Sequence, residues 1–358
     1  MMQACMHVDA IVCDGAATNR RMWKVFNISG NLQDTRYAFV HPLDDNRKVF
    51  VFSDAPHLIK CVRNRLLAQK ALKLNGEQIL WAHYDKLYVA DTNDPGCLRV
   101  CPKLSFSHLN PTTTEKMRVK LATQLFSRSV ADGLECYSKR GILGLENLKG
   151  TVKFTLMFND LFDALNRSFP AEEIKAGSRD IEILHAFLRW LDTWEREVYS
   201  GKMQKNTFLT ESTSDGLRVT VQSTLALTTY LLEECEFKYV LPSKFNQDVL
   251  ERFFGTIRQV GGQNDHPSMP TFLQLYNKLT IYSLVKPSKF GNCKVQDDGN
   301  EQRVLSLSDL KSYFSSNQLK ETKLEELKEK KLTALLKAKW SARRFSTMTT
   351  QGQKQQIA

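Results

Sequence analysis

KVFVFSDAPHLIKCVRN, residues Lys48–Asn64, changes character at Asp54. The apolar run before it is short and rich in β-branched and aromatic residues, so it reads as a strand that ends on an acid. After it, Leu58, Ile59, Val62 and Leu66 share one helical face, with Lys60, Arg63 and Arg65 expected outside. Asp54 followed by Pro56 suits the cap and first turn of that helix, and His57 then falls in the same turn, where packing or hydrogen bonding is its ordinary role. The same grammar occurs upstream. VDAIVCD, residues Val8–Asp14, reads as a short apolar strand ending on Asp14, and AATNRRMWKVFNI, residues Ala16–Ile28, as a helix. Two strand-then-helix units indicate an α/β sheet. Asp14 has two readings. It either caps the helix that follows, or it stands at the C-terminal edge of the sheet, where open α/β folds bind ligands.

The 358 residues suit roughly two domains. Lys and Arg number 50 against 39 acids, a net charge of +11. That excess favours an anionic partner, nucleic acid first. None of the eight cysteines forms a CxxC pair. Cys13 and Cys61 lie in or beside apolar runs and read as buried thiols, while Cys97, Cys101, Cys136 and His108 match no standard zinc spacing. No stretch approaches the ~20 apolar residues of a membrane span. These features suggest a reducing compartment, cytosol or nucleus. A strand so near residue 1 also suggests that further structure lies upstream.

From about Leu80 the text becomes purely helical. Asn110–Leu134 reads as one helix opened by a Thr112-x-x-Glu115 capping box. Gly150–Ser168, Ser178–Gly201 and Thr213–Glu234 read as three more. Then comes NQDVLERFFGTIRQVGG, residues Asn246–Gly262, where Leu250, Phe253, Phe254 and Ile257 form an apolar stripe beside Asp248 and Glu251. The two acids either suit the positive end of the helix dipole or include a metal-ligating carboxylate whose partners lie elsewhere. The remaining tail is charged. Leu319, Leu324, Leu327, Leu332, Leu335 and Leu336 give it a partial stripe, read as a solvated helix or a coiled coil.

FNDLFDALN, residues Phe158–Asn166, sets Asn159, Asp163 and Asn166 at helical spacing, with Phe162 beside them. Such residues commonly edge a buried helix. The alternative is purine recognition, in which a carboxylate accepts both N–H groups of guanine and an aromatic ring stacks on the base. Lys103 and Lys116–Val119 would then face phosphates. No G-x-x-x-x-G-K-[ST] loop is present, so any nucleotide is held without a P-loop.

In order, CDGAATNRRMW, FSDAPHLIKCVRN, KMRVKLATQLFS, FNDLFDALNRS and NQDVLERFFGTIRQVGGQNDHPS resemble the P-element transposase family, which includes THAP-domain-containing transposase-like proteins. The resemblance runs from about residue 8 to 285. It implies an α/β, RNase H-like core, incomplete at its N-terminus, interrupted by a mainly α-helical GTP-binding insertion domain. The expected divisions are 1–79 and 241–290 for the core, 80–240 for the insertion and 291–358 for the tail. The resemblance also implies three catalytic acids holding Mg²⁺. Asp14 matches the second and Glu251 the last, with Asp248 a neighbour that contacts metal or nucleotide. The first would precede Asp14, as would a zinc-bearing THAP domain and a dimerising helix, so the chain resembles a truncated or decayed copy. Lys103, Val119, Asn159, Phe162, Asp163 and Asn166 match positions around a GTP that is bound and not hydrolysed. The implied partners are DNA at transposon ends, GTP and further copies of the full-length protein, with no membrane, and the implied location is the nucleus. Two functions follow as alternatives: a transposase fragment inactive alone, or a domesticated non-catalytic protein that binds GTP and DNA.

Overall fold

The computed structural model describes residues 7–93, 99–260 and 267–285, with the side chains of 280–285 excepted. Cys97 and the leucine-bearing tail lie outside the described residues. The chain forms two compact bodies, Met1–Glu251 and Arg252–Ala358.

The first body begins with β1 (Ala10–Cys13) and α1 (Ala17–Val25), followed by a minimal β2 (Ser29–Gly30) and β3 (Thr35–Arg36) pair. β4 (Ala38–His41) and β5 (Asp44–Ser53) come next. β1 and β5 are parallel, in register from Ala10 with Phe50 to Cys13 with Ser53, and β4 runs antiparallel on the other edge of β5. The sheet order is β1-β5-β4, and among the described residues the outer edge of β1 has no strand partner. β5 is central, which explains its unbroken apolar text: Val49, Phe50, Val51 and Phe52 are all buried. Val51 packs with Trp23, while Phe50 and Phe52 pack with Leu227.

α2 (Ala55–Gln69) leaves the end of β5, and its Leu58, Ile59, Val62 and Leu66 face is buried as expected. Arg63, expected outside, is also fully buried. Its guanidinium donates to the Lys116 carbonyl at 2.9 Å, and the Asn64 amide reaches the same oxygen. The hairpin β6 (Ala71–Leu74) and β7 (Glu77–Leu80) follows, turning at Asn75 and Gly76, both with positive φ. Asn-Gly is the preferred pair for such a turn.

The helical region contains α3 (Trp81–Thr92), the single turn α4 (Phe106–Leu109), α5 (Val119–Leu125), α6 (Arg128–Lys139), α7 (Lys149–Leu165), α8 (Arg179–Tyr199) and α9 (Glu211–Glu233). The single helix expected over 110–134 is broken. The Thr112–Glu115 capping bonds do form, but they open only a 3₁₀ turn, Glu115–Met117. Extended backbone at Arg118 and Ser127 then separates that turn from α5 and α5 from α6. α7 supplies the centre of the large core, where Phe154 and Phe158 meet Phe126, Phe187 and Trp190.

α9 packs on β5 with a face rich in hydroxyls. The Thr220 hydroxyl accepts from Ser53 N at 2.9 Å and donates to Ser53 O at 3.0 Å, and Ser223 donates to Val51 O. β4 stops pairing near Phe50, so these side chains satisfy backbone groups of β5 that would otherwise be buried without partners.

α10 (Asp248–Val260) closes the first body and opens the second, which continues into α11 (Met269–Val285). Its apolar stripe is not the packed face expected. Ile257 is its one buried residue among those described, while Leu250 and Phe254 are exposed. The Phe253 and Phe254 rings instead pair with Tyr276 and Phe272 of α11. No helix among the described residues is long and apolar enough to cross a membrane.

Candidate catalytic and nucleotide sites

β1 and β5 end side by side because they are parallel and in register, so Asp14 and Asp54 leave the same sheet edge. The Asp54 amide donates to Cys13 O at 2.8 Å, one residue before Asp14. Asp14 Oδ1 accepts from Ala16 N at 2.9 Å and from the Asn19 amide at 2.6 Å. These bonds make a tight turn ahead of α1 but do not cap it: the cap position is Ala16, which has no side-chain cap bond, so the capping reading of Asp14 is not met. Oδ2 accepts none among the described residues. The Ala16 and Asn19 bonds, with nearby His57 and Lys60, outweigh desolvation and hold this carboxyl below the usual range. His57 lies against Gly15, where a Cβ would stand 3.2 Å from its Nε2. Burial first, then Lys60, pushes His57 down, so it is neutral near pH 7.

Asp54 is buried, and both of its oxygens are taken. Oδ2 accepts from His57 N at 2.9 Å, the expected helix cap, and Oδ1 accepts from Gln247 N at 2.9 Å. Gln247 in turn accepts Glu251 N at 2.8 Å through its carbonyl, while Asn246 Oδ1 receives Asp248 N at 3.1 Å. Glu251 is exposed and Asp248 half-buried. The backbones of Asp14 and Glu251 are therefore anchored to one strand end, through Asp54.

No group of three or more His, Cys, Asp or Glu side chains among the described residues is arranged to hold a metal. Cys101 donates to Ser129 O, and the His108 ring bonds Ser105 and Gln124. Asp14 and Glu251 offer the hard oxygen donors that Mg²⁺ prefers. Two carboxylates suit an ion that keeps several waters and takes further ligands from a phosphate substrate.

The second cluster lies on the C-terminal half of α7. Asn159 Oδ1 accepts from Arg128 N at 3.1 Å, and its amide donates to Asp163 Oδ2 at 3.2 Å. Asp163 Oδ1 has no donor among the described residues. Desolvation, with help from Asp160, pushes the Asp163 carboxyl up against the attraction of Arg167, although the residue as a whole is exposed. Phe162 is half-buried against the large core, and Asn166 ends the helix. Val119 is the first residue of α5, which touches α7, and Lys103 is exposed in the turn before α4. Neither Lys103 nor Val119 is joined to the α7 cluster by a hydrogen bond or ion pair among those described.

The comparisons with known proteins bear on the family and the fold. A family model described as the TNP-like, GTP-binding insertion domain matches residues 56–176, and one described as the TNP-like, RNase H C-terminal domain matches residues 243–277. The Transposable element P transposase of Drosophila melanogaster is 34% identical over 282 residues, covering 76% of this chain and 35% of that protein. The chain belongs to the P-element transposase family. Human DNA transposase THAP9 is 27% identical over 283 residues, covering 75% of this chain and 30% of that protein. The chain thus spans about a third of the length of these relatives. The solved Drosophila P element transposase strand transfer complex superposes with a TM-score of 0.67 at 32% identity, covering 78% of this chain and 61% of that one. The fold is accordingly an RNase H-like core interrupted by a helical GTP-binding insertion domain. The first matched span contains all six residues of the nucleotide set, and the second contains Asp248 and Glu251. Asp14 falls outside both.

Sequence reading missed the second role of Asp54 and the burial of Arg63. Asp54 lies 193 residues from Gln247, beyond any local pattern. Arg63 gave no local signal either, since the carbonyl that it shares with Asn64 belongs to Lys116, 53 residues away.

Proposed function

We propose that this chain is the catalytic-core portion of a cut-and-paste DNA transposase, with GTP as a bound, non-hydrolysed cofactor and Mg²⁺ held by Asp14 and Glu251. The observation that carries this reading is the convergence of an acid-ended strand and an acid-bearing helix on one sheet edge, in a chain of this family. Bound Mg²⁺ would polarise a phosphodiester and activate the attacking oxygen. The chain's own residues have separate tasks. Asp14 stays ionised and keeps Oδ2 for a cation, Glu251 would supply a second carboxylate from α10, and Asp248, one turn earlier, would contact metal or nucleotide. In the nucleotide site, Phe162 stacks on the base and Asp163 accepts the two guanine N–H groups. Donors at its open Oδ1 relieve a carboxylate that partial desolvation disfavours. Asn159 and Asn166 flank the base, and Lys103 and Val119 border the phosphates. DNA at transposon ends, assembly with further copies in a longer protein, and a nuclear location belong to the same reading.

A second reading, a non-catalytic protein that keeps its GTP and DNA contacts, has one observation in its favour. Among the described residues no group of three or more His, Cys, Asp or Glu side chains is arranged to hold a metal, and Asp9 is paired with Arg47 at 2.7 Å. Calorimetric titration of residues 1–358 with GTP and with ATP tests the shared part, and GTP is expected to bind more tightly. Equal affinities would end both readings. Mg²⁺-dependent nicking of a transposon end by this chain, with and without an added upstream core segment, separates them.

A further inference from the structure

We infer that Asp54 is the positioning residue of the candidate metal site, setting Glu251 relative to Asp14 without touching metal or substrate. The inference rests on the proposed catalytic reading and adds a residue that reading does not assign. Three hydrogen bonds in series carry it. Asp54 N donates to Cys13 O at 2.8 Å, Asp54 Oδ1 accepts from Gln247 N at 2.9 Å, and Gln247 O accepts from Glu251 N at 2.8 Å. One residue therefore holds the backbone beside Asp14 and, through the cap of α10, the backbone of Glu251. Asp54 is 3% exposed, and its other oxygen is occupied by His57 N. A carboxylate so enclosed and already holding two N–H donors is built to fix backbone, not to bind an ion. A bond between a charged group and an amide in a buried setting is strong and directional.

The chemistry of helix caps allows a selective test. Asn and Ser cap helices about as well as Asp. Asp54→Asn and Asp54→Ser should therefore both keep the bond to His57 N while neither offers a second anionic oxygen to Gln247 N. In the full chain, three quantities are measured for each: amide exchange at Gln247 and Glu251, Mn²⁺ affinity by electron paramagnetic resonance, and GTP affinity. Exchange at both amides should quicken by roughly ten- to a hundred-fold, the usual consequence of losing a hydrogen bond to a charged partner. Mn²⁺ should bind about ten-fold or more weakly, with GTP affinity unchanged. Wild-type exchange and wild-type Mn²⁺ affinity in both variants would overturn the inference. So would loss of GTP binding in both, because the carboxylate would then be a general support of the fold. If the unaltered chain takes up no Mn²⁺, the metal reading fails by itself, and the exchange rates still decide whether Asp54 holds α10.

Discussion

Asp215→Asn should stabilise this protein at neutral pH and leave it unchanged in mild acid. Asp215 lies early in α9, and its backbone is pinned against β2: a Cβ on Gly30 would stand 2.3 Å from Asp215 Cα. The residue is half-buried. Burial, then repulsion from Glu195 and Glu211, pushes it up to about 6, against the attraction of Arg20 and Arg218. Arg218 is already engaged, donating to Asp192, Glu195 and the Gly30 carbonyl. In the unfolded chain the group titrates near ~3.9. Between these values the folded state keeps a proton that the unfolded state has lost, so stability falls as pH rises through that window and stays low above it. Two units at ~1.36 kcal/mol each give about 3 kcal/mol. Partial exposure and screening reduce this to about 1.5 kcal/mol. The carboxyl accepts no hydrogen bond among the described residues, so an isosteric amide loses none. Thermal unfolding at several pH values is the assay. At pH ~7.5 the variant should melt about 3–6 °C higher, scaling from a body of this size, and near pH ~4 the two should coincide. A variant equally or less stable at neutral pH would show that Arg20 and Arg218 outweigh the burial, and the reasoning would be wrong.

Asp163→Asn should lower GTP affinity by roughly ten-fold or more while sparing ATP, since an amide cannot accept both guanine N–H groups, and unchanged selectivity by calorimetry would remove Asp163 from the site. Gly150→Ala should destabilise by about 1–3 kcal/mol in urea unfolding, because the new Cβ would stand 2.6 Å from Gln78 O, a backbone atom. That clash outweighs the ~1 kcal/mol that alanine gains over glycine in a helix, and a stabilised variant would mean that α7 and β7 separate easily. Retention on duplex DNA should fall steeply between ~50 and ~200 mM salt, as backbone binding by a chain of charge +11 requires. A flat curve would count against it.

The parallel pair was legible because β1 and β5 are apolar runs that each end on Asp before helical text, and the buried end of β5, Val49 to Phe52, needs such a run. The long helices α7, α8 and α9 were legible for the same reason, periodicity over many residues. Three features were not. β4 is four residues long and alternates weakly, so nothing marked it as the partner of β5. The Asn75-Gly76 hairpin carried a clear turn signal that helix-only text on its far side obscured. The break at Arg118 was hidden by a capping box whose bonds form as written, yet a cap shows only where a helix can begin, not how far it runs. The acids divide along the same line. Asp14 could be placed at a sheet edge because strand ends are local. Glu251 owes its anchoring to a hydrogen bond across 193 residues, which no local pattern contains.

That separation poses a physical problem for the fold. A helix returning to a sheet after so long an excursion has no short loop to set its position, and closing such a loop costs entropy before any contact forms. The return is made at two consecutive residues of β5 and its exit. α9 arrives first, and the Thr220 hydroxyl takes both backbone groups of Ser53. The chain then reaches Gln247, whose amide bonds Asp54 at the next position. Both anchor residues are buried, so water does not compete for these bonds. Meanwhile α2, which starts at Asp54, holds the Lys116 carbonyl through Arg63 and Asn64 two to three turns later, three residues before Val119. Nine residues of helix separate Asp54 from Arg63, about 14 Å at ~1.5 Å per residue. The start of α10 and the backbone leading to α5 are thus fixed to one helix. An insertion domain can then interrupt the core without displacing the helix that carries Glu251, because the chain leaving the sheet and the chain returning to it are held by the same end of α2.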